Sequence, residues 1–432
     1  MPLEDKYIEI QKGPEKTIAV AVFEKGGDRE MAFELFEELV FLADTAGANV
    51  VEKFHQELRT PVVSTYVGKG KLQEIHDFIK ENDITLALFD DELSPVQIRN
   101  IEKKLEIKVL DRSGLILDIF AQRAQTREAK TQVELAQMQY LMPRLTRMWT
   151  HLSKQHGGIG TRGPGETQIE VDRRLIRTRI DKLKSKLDVI ESQSDQQRKS
   201  RTKIPTYALV GYTNAGKSTL MKAITDSDVY VENKLFATLD TTTRRFDLPG
   251  GQHALLSDTV GFIRKLPSHL VASFRSTLAE AKESDFILHV IDVSHKYFEE
   301  HINTVEETLE QLGIKDKPIL KVFNKIDLLD EIEMVNVYRD KYPDSLFVSA
   351  YKNMNIERLL DKLQEMYDRT SNEFTIFLPY DKSNLIQDLF TLTEIEKQTD
   401  EDTGSFYSLK VQDENLFHFQ NKFEEYLVSE NE

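Results

Sequence analysis

The stretch Tyr207-Ala-Leu-Val-Gly-Tyr-Thr-Asn-Ala-Gly-Lys-Ser-Thr219 carries an apolar strand into the pattern GxxxxGKS and then into a helix-forming segment. The backbone amides of Gly211, Tyr212, Thr213, Asn214, Ala215, Gly216, Lys217 and Ser218 can wrap phosphates, and Thr219 is expected to complete the nucleotide-binding loop. Lys217 can reach the β and γ oxygens, and the Ser218 hydroxyl can hold magnesium. A strand, phosphate loop and helix in this order imply an α/β nucleotide domain built on a mixed, mostly parallel sheet.

Three further motifs follow in order, each at the end of an apolar run, where open α/β sheets bind ligands. Asp258-Thr259-Val260-Gly261 follows Ala254-Leu-Leu-Ser and offers a carboxylate to magnesium through water, with a glycine amide for the γ-phosphate. Asn324-Lys325-Ile326-Asp327 follows Ile319 to Phe323. Its aspartate can accept from guanine N1 and from the exocyclic amine, a donor pair that adenine lacks, so GTP and GDP are selected over adenine nucleotides. Ser349-Ala350, after Leu346-Phe-Val, can add a backbone amide to the guanine oxygen. Lys217 and Gly261 are the candidate groups acting on the γ-phosphate.

Working outward, 432 residues call for several domains of roughly 100 to 150 residues each. Ile18 to Phe23, Val50 to Phe54, Thr85 to Phe89 and Lys108 to Leu110 read as strands. Glu30 to Ala43, Lys71 to Glu81 and Pro95 to Leu105 read as helices between them. That alternation predicts an N-terminal α/β domain over 15–112, after a tail of 1–14. Gly68-Lys69-Gly70 could cup an anion, but Gly68 to Lys71 reads first as a plain loop and helix start.

From Leu115 long helical patterns take over until Pro143, and a second begins near Glu166. Ile176, Ile180, Leu183, Leu187 and Ile190 have the spacing of a coiled-coil seam, so 113–203 is expected to form a long antiparallel helical hairpin. Its tip is Gln155 to Gly165, with five glycines in eleven residues, and the polar stretch Ser192 to Lys203 reads as a linker. The nucleotide domain is expected over 204–369, and 370–432 as a small α+β domain. The fold class is α/β, multidomain.

The chain has no cysteine, which excludes disulfides, thiolate catalysis and cysteine-held zinc. No apolar run is long enough for a membrane span, and the acidic start lacks an apolar signal core, so a cytoplasmic protein is expected. The net charge is −16, but Arg144 to Lys203 holds 15 Lys and Arg against 7 Asp and Glu, leaving this stretch at +8 and the remainder at −24. Such segregation allows RNA contact by the hairpin alone, through Arg144, Arg147, Lys154, Arg162, Arg173, Arg174, Arg177 and Arg179. Glycine at Gly157, Gly158 and Gly160 lets backbone approach a narrow RNA cavity closely. The alternative is a GTP-dependent regulatory switch that docks a protein partner on the hairpin.

The ordered motifs resemble those of the translation-factor-related GTPases. Phe236-Ala237-Thr238-Leu239-Asp240, followed by Thr-Thr-Thr-Arg-Arg, is similar to the HflX family, as is Gly-Gly-Ile-Gly-Thr-Arg-Gly-Pro-Gly-Glu-Thr-Gln-Ile-Glu upstream. The resemblance implies that this stretch lies on the nucleotide and that Thr238 closes on magnesium and γ-phosphate beside Ser218. It further implies a ribosome-associated GTPase whose partner is the large (50S) ribosomal subunit and its rRNA, with ribosome splitting or rescue as the outcome. Asn214 matches the asparagine that positions potassium in related cation-stimulated GTPases. Phe262 stands where many small GTPases have a water-orienting glutamine, so slow intrinsic hydrolysis with partner stimulation is expected. A monomer is expected.

Overall fold

The computed structural model describes residues 15–145, 164–199, 204–225, 235–236, 238–265, 279–314, 317–329 and 333–428. The chain divides into two compact units, residues 1–245 with 255–354, and residues 246–254 with 355–432.

The first unit opens with β1 (Glu15–Glu24), α1 (Arg29–Thr45), β2 (Ala48–Leu58), α2 (Lys69–Asn82), β3 (Leu86–Phe89), α3 (Pro95–Leu105) and β4 (Lys108–Asp111). These strands form a parallel sheet in the order β2-β1-β3-β4. The central runs Ile18 to Ala21 and Leu86 to Phe89 are buried on both faces because helices cover both sides. Asp28 caps α1 by accepting from Met31 N, and Ser94 with Gln97 closes a capping box on α3. Gly68 starts α2 and its amide donates to Gln56, so Gly68 to Gly70 is a loop entering a helix.

The helical stretch after Leu110 is broken in a way its composition did not suggest. It forms α4 (Arg112–Arg123) and α5 (Arg127–Leu141), separated at 124–126. The Asp240 carboxylate, far along the chain, accepts from Gln125 N and Thr126 N and from the Thr126 hydroxyl. Those amides are satisfied by a tertiary partner instead of helix carbonyls. Beyond the break, α5 packs on α6 (Pro164–Lys199), where Leu135, Ile180 and Leu183 form a core flanked by Ile176 and Leu187. The helix α6 runs through the stretch expected as a linker from Ser192, reaching Lys199. Gln, Arg and Lys propagate a helix well, and no glycine or proline interrupts before Pro205. The glycine-rich tip over 155–163 lies outside the described residues.

The nucleotide portion runs through β5 (Thr206–Gly211), α7 (Lys217–Thr225), β6 (Thr242–Asp247), β7 (His253–Asp258), α8 (Ala279–Glu283), β8 (Phe286–Asp292), α9 (Phe298–Gln311), β9 (Ile319–Asn324), α10 (Glu333–Lys341) and β10 (Leu346–Phe347). Its sheet order is β10-β9-β8-β5-β7-β6, with β5 parallel to β7 and β8, and β8 parallel to β9. The second unit holds α11 (Ile356–Asp368), β11 (Ser371–Pro379), α12 (Ile386–Leu392), β12 (Glu394–Glu401), β13 (Gly404–Gln412) and α13 (Asp413–Phe423). Its strands form an antiparallel sheet, β11-β13-β12, over a core that includes Ile376, Tyr407, Leu409, Phe419 and Phe423. The sequence put the end of the nucleotide domain at Arg369, whereas the compact unit ends at 354 and α11 groups with the tail.

His289 lies at the middle of β8, 1% exposed, with Nδ1 unpartnered. Burial lowers its pKa from 6.5 to about 3, helped by Lys321 and Lys217. The unfolded chain therefore takes up a proton near pH 6.5 that the fold refuses, and stability is lost as pH falls below that point. Between pH 7 and 5 the loss should be about 2 kcal/mol, read from urea unfolding followed by circular dichroism. His289→Leu should remove that part of the pH dependence.

Candidate functional site

The strand ends bring the predicted groups together. Ser218 Oγ donates to Asp258 Oδ2 at 2.6 Å and lies 2.8 Å from Thr238 Oγ1. The other Asp258 oxygen, Oδ1, is buried without a partner. Two hydroxyls and a carboxylate with a spare oxygen suit a hard cation such as Mg²⁺, which favours oxygen ligands and keeps water. They are too few to hold it alone, so water and the oxygens of a bound phosphate would complete the shell. Burial raises the Asp258 carboxyl while Lys217 and the Ser218 hydroxyl pull it down.

Lys217 is 7% exposed, and its ammonium donates to the carbonyls of Gly211 (3.2 Å) and Tyr212 (3.0 Å), folded back on its own loop. Burial brings its pKa down to about 8, opposed by Asp258. Phosphate oxygens would replace those carbonyls and restore a full partner to the charge. Gly261 lies directly over the loop, where a Cβ would stand 2.7 Å from Thr213 Cα and 3.0 Å from Lys217 Nζ. Only glycine allows this approach. The neighbouring Phe262 amide donates to Gly211 O at 3.1 Å, and Thr213 N donates to Phe262 O at 2.7 Å. The segment after DxxG is thereby hydrogen-bonded onto the phosphate loop. Thr259 is structural, its hydroxyl donating to Leu209 O, and Val260 is buried beside it.

At the base end, Asn324 acts as a brace. Its Nδ2 donates to Ala215 O and its Oδ1 accepts from Ala350 N, both at 3.0 Å, which joins the phosphate loop to Ser349-Ala350. The Ala350 amide expected for the guanine oxygen is thus engaged by Asn324. Gly216, at φ +92°, faces that brace, and a Cβ there would lie 2.3 Å from Asn324 Nδ2. The Lys325 ammonium pairs with Asp292 at 2.6 Å, Ile326 packs into the core around Phe323, and the Ser349 hydroxyl accepts from Lys352 N. Asp327 Oδ1 is buried and unpartnered, the acceptor that guanine would satisfy.

The remaining predicted residues are placed as follows, with the reading of Arg144 corrected. Of Phe236 to Asp240, Thr238 is the residue that meets Ser218. Phe236 and Leu239 are 2% exposed in the core, where Phe236 packs edge-on against Phe120 at 4.7 Å, and Asp240 is spent on Gln125 and Thr126. Ala237 lies outside the described residues. Arg144, expected on RNA, is 10% exposed at its side chain, pairs with the buried Asp111 at 3.0 Å and stacks on Tyr140 at 3.5 Å. A buried carboxylate needs a counter-charge, and Arg144 supplies it. Arg179 is exposed but pairs with Glu134 on α5. Arg174 and Arg177 are exposed on α6 and Arg173 is half-buried, while Gly157, Gly158, Gly160 and Arg162 lie outside the described residues.

Sequence reading also missed residues. Tyr212 is expected in the loop for its backbone amide alone, yet its hydroxyl donates to Glu38 Oε2 at 2.8 Å and accepts from Arg264 N at 2.9 Å, and its ring stacks on His301 at 3.8 Å. Burial and the Glu38 carboxylate raise the Tyr212 phenol, which keeps it a donor. The available signal was Glu38 itself, an acid set among the apolar residues Phe36, Leu39 and Leu42 on the buried face of α1. Replacing the unpartnered carboxylate in Asp327→Asn removes the acceptor for guanine N1 and the exocyclic amine. GDP affinity should fall about 100-fold or more, and xanthosine diphosphate, which carries an oxygen in place of that amine, should bind better than GDP in equilibrium titration.

Similarity to known proteins agrees with this geometry. Residues 206–325 match the family model described as 50S ribosome-binding GTPase, and residues 34–121 and 123–201 match the N-terminal and middle regions of a GTP-binding GTPase family. The chain is 48% identical over 413 residues to the GTPase HflX of Flavobacterium psychrophilum, covering 90% of this chain and 98% of that protein. It is 44% identical over 387 residues to the GTPase HflX of Escherichia coli K12, covering 89% and 90%. A GTP-binding protein from Sulfolobus solfataricus in complex with GDP is 28% identical, with a TM-score of 0.44, covering 81% of this chain and 98% of that one. With the phosphate-loop, DxxG and Asn-Lys-Ile-Asp motifs brought together at the strand ends, and with this extent of identity, the chain belongs to the HflX family of GTPases.

Proposed function

We propose that the protein binds the large ribosomal subunit through its N-terminal arm and splits or rescues ribosomes in a GTP-dependent way. The observation that carries this reading is α6, a 36-residue helix that leads out of the glycine-rich segment and bears the exposed Arg174 and Arg177 on an otherwise acidic chain. Cationic side chains on such an arm release counterions from RNA, while acidic surface elsewhere is repelled by it. The relatives' HflX assignment and the 50S ribosome-binding description of the matching model support the same partner.

A γ-phosphate would hold Thr238 and Gly261, and its loss would release both; the Thr238 hydroxyl beside Ser218 and the approach of Gly261 to Lys217 support this. Magnesium bound among Ser218, Thr238 and Asp258 would neutralise β- and γ-phosphate charge. Lys217 would orient the phosphates, and Asp327 would select the base. Phe262, 2% exposed, is packed in the core and offers no polar side-chain atom to an attacking water. Intrinsic hydrolysis is therefore slow and a partner speeds it. Asn214, at φ +60°, lines a cavity of about 230 Å³ beside the phosphate loop, where its amide oxygen could hold a potassium ion against the phosphates. Turnover should accordingly be several-fold faster in potassium than in sodium, and equal rates would remove potassium from the site.

Val171, Leu175 and Val189 are exposed on α6 and favour a second reading, a switch that docks a protein on the hairpin. GTP turnover measured with and without purified large subunits at two salt concentrations separates the two. The ribosomal reading expects stimulation that falls steeply with salt and is reduced about tenfold by R173E/R174E. Stimulation that ignores salt and charge reversal would favour the protein partner, and none at all would remove the ribosome from the proposal.

A further inference from the structure

The phosphate loop and the segment after Gly261 are both held from outside the nucleotide portion, and the holding groups form one closed circuit. Tyr212 donates to Glu38 on α1. The other Glu38 oxygen accepts from Arg112, and Arg112 Nη1 donates to Asp90 at 2.9 Å. The second Asp90 oxygen accepts from Lys265 Nζ at 2.6 Å, and Lys265 also pairs with Asp91. The residue before it, Arg264, returns its backbone amide to the Tyr212 hydroxyl at 2.9 Å. We propose that Glu38 is a positioning residue for GTP hydrolysis, which through Tyr212 and Arg112 holds the phosphate loop and the segment after Gly261 in the arrangement that fits a γ-phosphate. The proposal rests on the GTPase assignment and is independent of the ribosome.

Placement in the fold supports it. Asp90 and Asp91 follow β3, beside the end of β1, where the strand order turns both ways and an α/β sheet ordinarily receives a ligand. Here a lysine of the nucleotide portion is received there. Within the circuit, Glu38 and Asp90 are matched by Arg112 and Lys265. Withdrawal of Lys265 leaves two nearly buried carboxylates sharing one guanidinium, a costly state in a low-dielectric setting. Displacement of Lys265 is therefore disfavoured, and the segment is kept in the held position. The held position is the one in which Thr238 meets Ser218 and Gly261 lies over Lys217. A second tie runs the same way, since Asp240, two residues after Thr238, is fixed to Gln125 and Thr126. A GTP-like arrangement favoured by these ties must, by linkage, favour GTP over GDP.

The test measures affinity of the full-length protein for GDP and for a non-hydrolysable GTP analogue, with magnesium and without ribosomes, and reads their ratio. Glu38→Gln should lower the preference for the analogue about tenfold. Lys265→Met, at the exposed end of the circuit, should lower it similarly and serves alone if Glu38→Gln does not fold. Both substitutions break one circuit, so the double variant should fall no further than the larger single effect. Wild-type analogue binding with an unchanged ratio in the folded variants, or losses that simply add, would overturn the proposal and leave the GTPase assignment standing. A wild-type protein that binds neither nucleotide would instead refute that assignment.

Discussion

Arg112, 2% exposed, stands between the carboxylates of Glu38 and Asp90, and much of the first unit is arranged around satisfying those charges. Charged groups withdrawn from water must be paired and hydrogen-bonded, or the fold loses several kcal/mol for each. Here the partners come from different places in the chain: α1, the end of β3, the start of α4 and the segment after Gly261. The residues that balance the charge therefore also fix the phosphate loop from its outer side, through the single Tyr212 hydroxyl.

The nucleotide site shows the complementary condition. Some of its polar atoms are satisfied within the protein, notably Asn324, which braces Ala215 and Ala350. Others are buried and unmatched, notably Asp258 Oδ1 and Asp327 Oδ1. Buried acceptors without partners are uncommon in folded proteins, and where they fall inside a motif that binds a ligand they are open to the donor or cation the ligand brings. One belongs to the DxxG aspartate and the other to the aspartate of Asn324-Lys-Ile-Asp327, the two residues expected at the phosphate and base ends of a guanine nucleotide. The structure thus separates residues that build the site from residues that await its occupant, a distinction that motif spacing does not make.

Local chemistry explains what was legible from sequence. Alternating apolar runs and helical patterns placed the strands and helices of the N-terminal α/β portion and the strands that carry the nucleotide motifs, because period is a property of neighbouring residues. The phosphate loop, DxxG and the guanine motif were legible for the same reason, each being a short backbone shape with obligatory residue types. The hairpin seam was legible at Ile176, Ile180, Leu183 and Leu187, which the α5 contact buries at least in part. The extension of α6 to Lys199 overrides the linker that polar composition predicts, because the helix propensity of Gln, Arg and Lys favours continuation.

By itself the sequence determined a phosphate-binding, guanine-selecting α/β domain, a preceding α/β domain and a basic helical arm, since these follow from periodicity, turn chemistry and charge along the chain. Only the tertiary structure decided that Asp240 breaks a helix more than 100 residues earlier, that Arg144 neutralises Asp111 instead of facing solvent, and that Tyr212 links Glu38 to Arg264. Those choices depend on which buried charge or orphan amide lies opposite, and that is settled when distant segments meet in a medium where an unpaired polar group is too costly to leave.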